Sequence, residues 1–361
     1  MKYTIAVRIM WPGGVFRTAL EEARYMKARL IILRKSKKET PYDTNNVDLC
    51  ILRDSKKKGK LTPLFELLTL LYDKERGKEA TVDLDLIFKL QKMKLSNTLY
   101  FDQFIAIAGY INKILYKIPY NVFLHETVLG RKNNFRSLFL VIFDRIILKN
   151  ADLVITNSAW NKKVLKRYGI NSHVAYLGCT PSNNLNLKRS KKIVTVSMWD
   201  RFRNPEIYVK LAREVKLEVI IAGSWTTEDY MKEFIEKYGS IVKVTGPVNE
   251  AELDELYKTS MFYIRFGYEE RGPGLGGLEA LGHGTPVITN RSLGISEIII
   301  DGYNGFVVDD VDEAIQKINA IIDDEDRMKV MMENAYATGI KYSWYNHARR
   351  VEEILNRKIL D

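Results

Sequence analysis

The chain has 361 residues, 46% of them hydrophobic and 11% aromatic, with a formal net charge of +11 at neutral pH. That length exceeds one ordinary core and predicts two domains, and that apolar content excludes an intrinsically disordered chain. The charge favours anionic partners; nucleic acid is disfavoured among them, because no helix-turn-helix, zinc-finger or RNA-binding aromatic signature is present.

No run of about 18 uncharged apolar residues occurs, so no transmembrane helix is predicted. The opening MKYTIAVRIM reads as a strand rather than a secretory leader. Cys50 and Cys179 lie far apart, which predicts a reduced, cytoplasmic chain with neither a disulfide framework nor a metal motif. Glutamine occurs only as Gln91, Gln103 and Gln316 while Lys and Ile abound, a composition that points toward a thermophilic source.

Taken in order, Tyr3–Ile9 reads as a strand, followed by Trp11-Pro12-Gly13-Gly14, a helix over 17–29 and a second strand at Leu30–Leu33. This is the opening of a doubly wound α/β domain, and it lacks the G-x-G-x-x-G spacing of dinucleotide sites. Gly13 and Gly14 either shape the turn alone or let a ligand phosphate approach the backbone. Val47–Leu52 reads as another strand. The run Lys56-Lys57-Lys58-Gly59-Lys60 behind it, with the apolar Leu64–Tyr72, reads as a solvated loop or as contact with an anionic membrane surface.

A helix is expected over Phe101–Tyr116 and a strand over Tyr120–Leu124, ending at His125-Glu126. A histidine at the carboxyl end of a parallel strand faces the crevice where α/β ligands bind; the alternative is a satisfied structural histidine. Asn134–Lys149 reads as an amphipathic helix with Phe135, Leu138, Phe139, Ile142, Phe143 and Ile146 on one side, either a core stripe or a membrane face. Arg131, Lys132, Arg136, Arg145 and Lys149 decorate it. Thr180–Ser190 is polar and aperiodic, which predicts a linker. A second series follows: strands at Ile193–Ser197, Glu218–Ala222 and Lys243–Thr245, helices at Pro205–Glu214 and Glu250–Thr259, and a last helix at Ser343–Asn356.

The densest signal is Met261–Thr289. An apolar strand, Met261–Phe266, runs into Gly272-Pro273-Gly274-Leu275-Gly276-Gly277, then a short helix at Leu278–Leu281. A break at Gly282-His283-Gly284 leads to a strand at Pro286–Thr289. Glycines admit a ligand where a Cβ would block it, and the N–H groups at a helix start suit an anion. Glu279, in the first turn of that helix, is placed to accept hydrogen bonds from sugar hydroxyls; a turn needing glycine for shape alone is the plain alternative.

Gly272, Gly274, Leu275, Glu279, Ala280, Gly284, Pro286, Val287 and Ile288 fall in register with Glu-Gly-Phe-Gly-Leu-x-x-x-Glu-Ala-x-x-x-Gly-x-Pro-Val-Ile. The stretch thus resembles the donor-site signature of the retaining glycosyltransferases of family 4. Ala151–Ser158, Val174–Gly178 and Ile295–Val308 resemble further segments of that family. The resemblance implies an α/β GT-B fold: two facing Rossmann-like doubly wound domains with an interdomain cleft. Residues 1–180 would form the acceptor-binding domain, 181–342 the donor-binding domain, and 343–361 a helix crossing back to the first.

It further implies transfer of a sugar from a nucleoside diphosphate sugar to a hydroxyl acceptor on a glycan, a lipid-linked sugar or a protein. Retention and front-face attack come with the family. No Asp-x-Asp or clustered His/Cys set reads as a metal site, so neither a metal nor a cofactor beyond the donor is expected. The cysteine usage with the basic run predicts a place in the cytoplasm or at the inner membrane face. By resemblance, Gly13 and Gly14 lie near the donor phosphates and His125 reaches the donor sugar. Gly272, Gly274 and Leu275 line the donor site, and Glu279 holds ribose hydroxyls. The family's Gly-Arg-x-x-x-x-Lys aligns onto Ser197, Met198 and Arg203, so Arg203, helped by Arg201, is expected on the diphosphate, with a solvated loop as the alternative.

The largest departure is at the signature's first glutamate, whose position holds Arg271 after Glu269 and Glu270. Three consequences are open: Arg271 meets the diphosphate or an acidic sugar, Glu270 swings in, or catalysis is impaired. A nucleotide-sugar-binding protein without turnover and a GT-B-like epimerase are the alternative readings.

Overall fold

The computed structural model describes residues 2–11, 13–36, 40–53, 84–127, 129–130, 138–267 and 270–357. The basic run Lys56-Lys57-Lys58-Gly59-Lys60, the apolar Leu64–Tyr72, Glu269, and Arg131, Lys132, Phe135 and Arg136 lie outside the described residues. The chain divides into two compact units, Met1–Tyr176 with His347–Asp361, and Leu177–Asn346.

In the first unit, seven parallel strands run in the order β3-β2-β1-β4-β5-β6-β7. They are β1 Thr4–Met10, β2 Arg29–Lys35, β3 Leu49–Arg53, β4 Thr98–Phe101, β5 Asn121–Leu124, β6 Leu153–Thr156 and β7 His173–Val174. From β1 the chain winds first to one side (Thr4 opposite Arg29) and then to the other (Thr4 opposite Thr98), so the order of winding reverses between β1 and β4 while every strand stays parallel. Helices α1 Gly14–Met26, α2 Leu84–Lys92, α3 Ile107–Tyr116, α4 Leu138–Asn150 and α5 Ala159–Arg167 connect these strands. Sheets covered on both faces need strands apolar on both faces, and β2 obliges with Leu30–Leu33 all buried.

The second unit repeats the plan with six parallel strands ordered β10-β9-β8-β11-β12-β13. These are β8 Ser190–Val196, β9 Glu218–Ala222, β10 Lys243–Gly246, β11 Ser260–Arg265, β12 Val287–Asn290 and β13 Gly305–Val308. Its helices are α6 Glu206–Glu214, α7 Glu228–Tyr238, α8 Glu250–Thr259, α9 Leu275–Gly282, α10 Val311–Ile321 and α11 Glu325–Lys341. Side chains of Ser158, Thr227 and Asp310 cap α5, α7 and α10. At α8 a full capping box joins Asn249 and Glu252, a device worth about 1 kcal/mol. Trp199, Tyr208, Phe262, Ile264 and Ile288 lie in the core of this unit. The last helix, α12 Trp344–Arg357, packs from His347 onward in the first unit, where Arg350 Nε donates to the carbonyl of Val174.

Several expectations need correction. Thr98–Phe101 is a strand, and the helix expected to begin at Phe101 begins at Ile107, because Asp102 at φ 117° turns the chain and accepts from the amides of Phe104 and Ile105. The first helix starts at Gly14 and stops at Met26, where Lys27 takes a left-handed conformation. The helix after the glycine turn starts at Leu275, which puts Glu279 in its second turn rather than its first. The stripe expected on α4 divides: Phe143 stacks on Phe104 at 5.5 Å, while Ile142 and Ile146 are exposed. Leu177–Thr180 and Ser343–Asn346 belong to the second unit, since Cys179 pairs with Ser343 and exchanges backbone hydrogen bonds with Tyr342 and Trp344. Among the described residues no helix is long and apolar enough to cross a membrane.

Candidate functional site

In open α/β sheets ligands bind beyond the carboxyl ends of the strands where the winding reverses. In the second unit that point lies between β8 and β11, and the loops leaving these two strands carry most of the expected residues.

The loop after β8 is built around Trp199, whose indole N–H donates 2.8 Å to the carbonyl of Ala222 and which is fully buried. Asp200 accepts from the amide of Arg203 at 2.8 Å, closing one turn of 3-10 helix over Arg201–Arg203. Arg203 donates to the carbonyl of Met198 in the same loop. Arg201 turns toward α7, 3.7 Å from Glu233 and 5.1 Å over the ring of Tyr230. A side chain at Gly223 would place its Cβ 2.0 Å from the carbonyl oxygen of Ser197, at a φ of 113°. Only glycine lets the end of β9 pass this loop.

The loop after β11 brings Glu270, Arg271, Gly272, Gly274, Leu275 and Glu279 together. Gly274 caps α9 with φ 65° and ψ 142°, no side chain caps that helix, and its first turn carries no acid, so its amides face outward from Gly274. Glu279 accepts from the hydroxyl of Tyr257 at 3.3 Å, and burial together with Glu279 raises that phenol well above its ordinary range. Arg271 is buried. Glu270 is half-buried and forms an ion pair with Arg265 at 3.2 Å.

In the first unit the expected residues sit at the ends of β1 and β5. The amide of Gly13 bonds the carbonyl of Trp11 at 2.7 Å, and a Cβ there would meet the Trp11 ring at 2.9 Å. Gly13 therefore caps α1 in extended conformation, with Gly14 its first residue. His125 packs tilted against Phe123 and Phe101, with ring centroids 4.9 Å and 5.5 Å away. The residue as a whole is half-buried, and both ring nitrogens are buried without a hydrogen-bond partner among the described residues. Burial, and secondarily His347, lower its pKa to about 3, so the ring is neutral at any working pH. Its loop is held by Asn161, whose amide donates to the His125 carbonyl at 3.1 Å and to Asn157 at 3.0 Å. Behind it, His347 faces the carbonyl of Tyr176 at 2.6 Å and Glu22 at 2.8 Å, and burial raises the Glu22 carboxyl above its usual range.

Sequence reasoning missed Arg265 and the tyrosines under α9. The one available signal was a cation closing an apolar strand, MFYIR.

Residues 180–338 match the family model described as glycosyl transferases group 1. Among curated proteins, a D-inositol 3-phosphate glycosyltransferase of Corynebacterium kroppenstedtii is 33% identical over 116 residues, covering 32% of this chain and 26% of that protein. An uncharacterized glycosyltransferase of Methanocaldococcus jannaschii is 23% identical over 252 residues, covering 63% of this chain and 64% of the relative. The chain thus spans less than two thirds of the length of these relatives. Of solved structures, HepE of Anabaena in complex with UDP and glucose superposes with a TM-score of 0.75 at 18% identity, covering 99% of this chain and all of that one. Sucrose-phosphate synthase of Thermosynechococcus elongatus gives a TM-score of 0.73 at 16% identity, covering 99% of both chains. The likeness gives the chain the GT-B fold of two Rossmann-like units, and the match over 180–338 supports a glycosyltransferase.

Proposed function

We propose that the chain is a retaining, metal-independent glycosyltransferase of family 4 that moves a sugar from a nucleoside diphosphate sugar to a hydroxyl acceptor. The observation that carries this reading is the glycine turn at the switch point of the second unit, opening on an uncapped helix with Glu279 one turn in. Preorganised amides and cations stabilise charge that develops on a leaving group far better than water does. Here the amides of α9 take the leaving diphosphate; Arg203 and Arg201, on the loop after the adjacent strand β8, are the assigned cations and would have to leave Met198 and Glu233 to reach it. Glu279 accepts from ribose hydroxyls in addition to the Tyr257 hydroxyl. The neutral His125 and the Gly13-Gly14 turn are assigned to the donor sugar and its phosphates, as the resemblance implies. HepE has been crystallised with UDP-glucose, which makes UDP-glucose the first donor to try.

Calorimetry with nucleoside diphosphates, followed by turnover of a nucleotide-sugar panel, tests the reading. Glu279→Gln is expected to weaken UDP binding roughly tenfold, the scale of one charge-assisted hydrogen bond. A wild type that binds no nucleoside diphosphate overturns the proposal. Binding without transfer to any hydroxyl acceptor favours the non-catalytic nucleotide-sugar-binding reading, and a product sugar of altered stereochemistry without an acceptor reveals an epimerase. Full turnover after chelation, and retention at the anomeric carbon by NMR, are the expected results for the metal-independent retaining mechanism.

An anionic membrane surface is proposed as a second partner, with the enzyme working at the cytoplasmic face. At the end of α3, Ile114, Leu115 and Tyr116 are 53%, 60% and 45% exposed. Lys94 lies 3.9 Å over the ring of Tyr116, and Lys113 reaches the carbonyl of Asn150 at the end of α4. An apolar tip ringed by lysines suits the boundary between anionic headgroups and acyl chains. Vesicles containing phosphatidylserine are expected to pellet the protein and neutral vesicles are not. Leu115→Ser with Lys117→Glu should abolish pelleting while donor turnover in solution persists. Equal recovery on both vesicle types rules this partner out.

A further inference from the structure

Strand β11 is buried along its whole length, yet it ends in a cation: Arg265 is 8% exposed. A guanidinium is tolerated in such a place only when its donors are matched. One side is matched, because Nη2 donates to Glu270 Oε2 at 3.2 Å. The other is not: Nη1 is buried and meets no acceptor among the described residues.

Where this head lies follows from the strand. Alternation puts Arg265 on the same face of β11 as Tyr263. The Tyr263 hydroxyl lies 2.8 Å from the position a Cβ of Gly276 would take, in the first turn of α9. Arg265 therefore extends along the face that α9 covers, beneath the turn that carries Glu270 to Gly274. The Glu270 carboxylate stands over that turn, with Oε1 3.8 Å from the Cβ position of Gly274, the residue that caps α9. Its side chain is 36% exposed, against 10% for Arg265.

We propose that Arg265 is a positioning residue that fixes Glu270 as the carboxylate meeting a hydroxyl of the transferred sugar. With Oε2 held by the guanidinium, Oε1 accepts from that hydroxyl, and the hydroxyl oxygen accepts in turn from Arg265 Nη1. The inference rests on the glycosyltransferase reading and deepens it in two ways. It assigns the acidic role to Glu270, one position ahead of the slot occupied by Arg271, which is buried. It also narrows the substrate: a neutral sugar with a free hydroxyl at this point fits, and a uronate is repelled by Glu270. No bond is made or broken by the pair.

The test separates sugar recognition from nucleotide recognition. Dissociation constants for UDP and for UDP-glucose are measured on wild type, Glu270→Gln, Arg265→Met and Arg265→Lys, with kcat and KM for the best donor of the panel. Glu270→Gln and Arg265→Met are expected to lose the extra affinity for the nucleotide sugar and to lower kcat/KM about tenfold or more, while Kd for UDP stays within about threefold. Arg265→Lys, which keeps the charge, should recover part of the loss. Should Arg265→Met fail to fold, Glu270→Gln, at a partly exposed side chain, decides alone. An unchanged preference for UDP-glucose over UDP in Glu270→Gln overturns the pair, as does equal weakening of both ligands. A wild type that binds no UDP sinks the glycosyltransferase reading itself and takes this inference with it.

Discussion

Alanine at Gly294 is expected to lower turnover about a hundredfold, the scale of a displacement near 1 Å at the groups that orient a substrate. Gly294 has no part in any motif for catalysis, and its effect runs through contact alone. Its amide donates to the carbonyl of Glu270 at 2.7 Å, tying the start of the 3-10 helix Gly294–Glu297 to the loop after β11. A Cβ there would stand 2.3 Å from the carbonyl oxygen of Arg271 and 2.5 Å from that of Gly272. Both are backbone atoms in a buried place and cannot rotate aside, so the turn from Glu270 to Gly274 must move. That turn sets the Glu270 carboxylate and the first amides of α9. The stability cost of such overpacking is about 1–3 kcal/mol, small enough to leave the protein folded. Gly169→Ala is the control: φ is 72° with nothing within 4 Å of the Cβ, so backbone strain of about 1–2 kcal/mol is expected with turnover intact. Equal effects of the two substitutions on activity would show that the loop tolerates the push.

The alternation of apolar strands with helices was legible because parallel sheets bury both faces, and β9 and α8 fall where the sequence places them, at Glu218–Ala222 and Glu250–Thr259. The strand Thr98–Phe101 was not, since four residues running directly into Asp102 look like the start of the following apolar helix. The sequence predicts too short an α9 because glycines lower helix propensity, and Gly276 and Gly277 fall inside it. They are tolerated there because a Cβ would meet Tyr263 at 2.8 Å or Ile295 at 2.9 Å: close packing, not propensity, chose them. The loop residues of the candidate site were visible as a glycine pattern, whereas the Arg265–Glu270 pair was not. No local rule announces which of two adjacent glutamates a strand-end arginine will reach.

Phenylalanine at His125 is expected to stabilise the first unit and to cost activity on the order of a hundredfold, comparable to removing one preorganised hydrogen-bonding group from an active site. The ring already packs against the stacked pair Phe101 and Phe123, so an aromatic replacement keeps the apolar contacts. Each buried nitrogen without a partner carries a desolvation penalty of about 1–3 kcal/mol, which Phe removes. Under the proposed function, those two unmatched nitrogens are the polar atoms that would meet the donor sugar. The acid side gives a second reading. The folded pKa is lowered from 6.5 to about 3, so between these values the unfolded chain binds more protons than the folded one. Stability therefore rises with pH through that window, by up to roughly 1.4 kcal/mol per unit, and is lost as pH falls. Facing His125 across Phe123 is His347, bonded to Glu22, whose raised pKa has the opposite sign: its contribution fades as pH rises above 4.5. Both variants keep that pair, so the difference between wild-type and His125→Phe denaturation curves isolates the His125 contribution. It should grow as pH falls from 6.5 to about 3 and level off below, with a smaller difference still present at pH 7, and a difference independent of pH would show that the imidazole is not held neutral by burial.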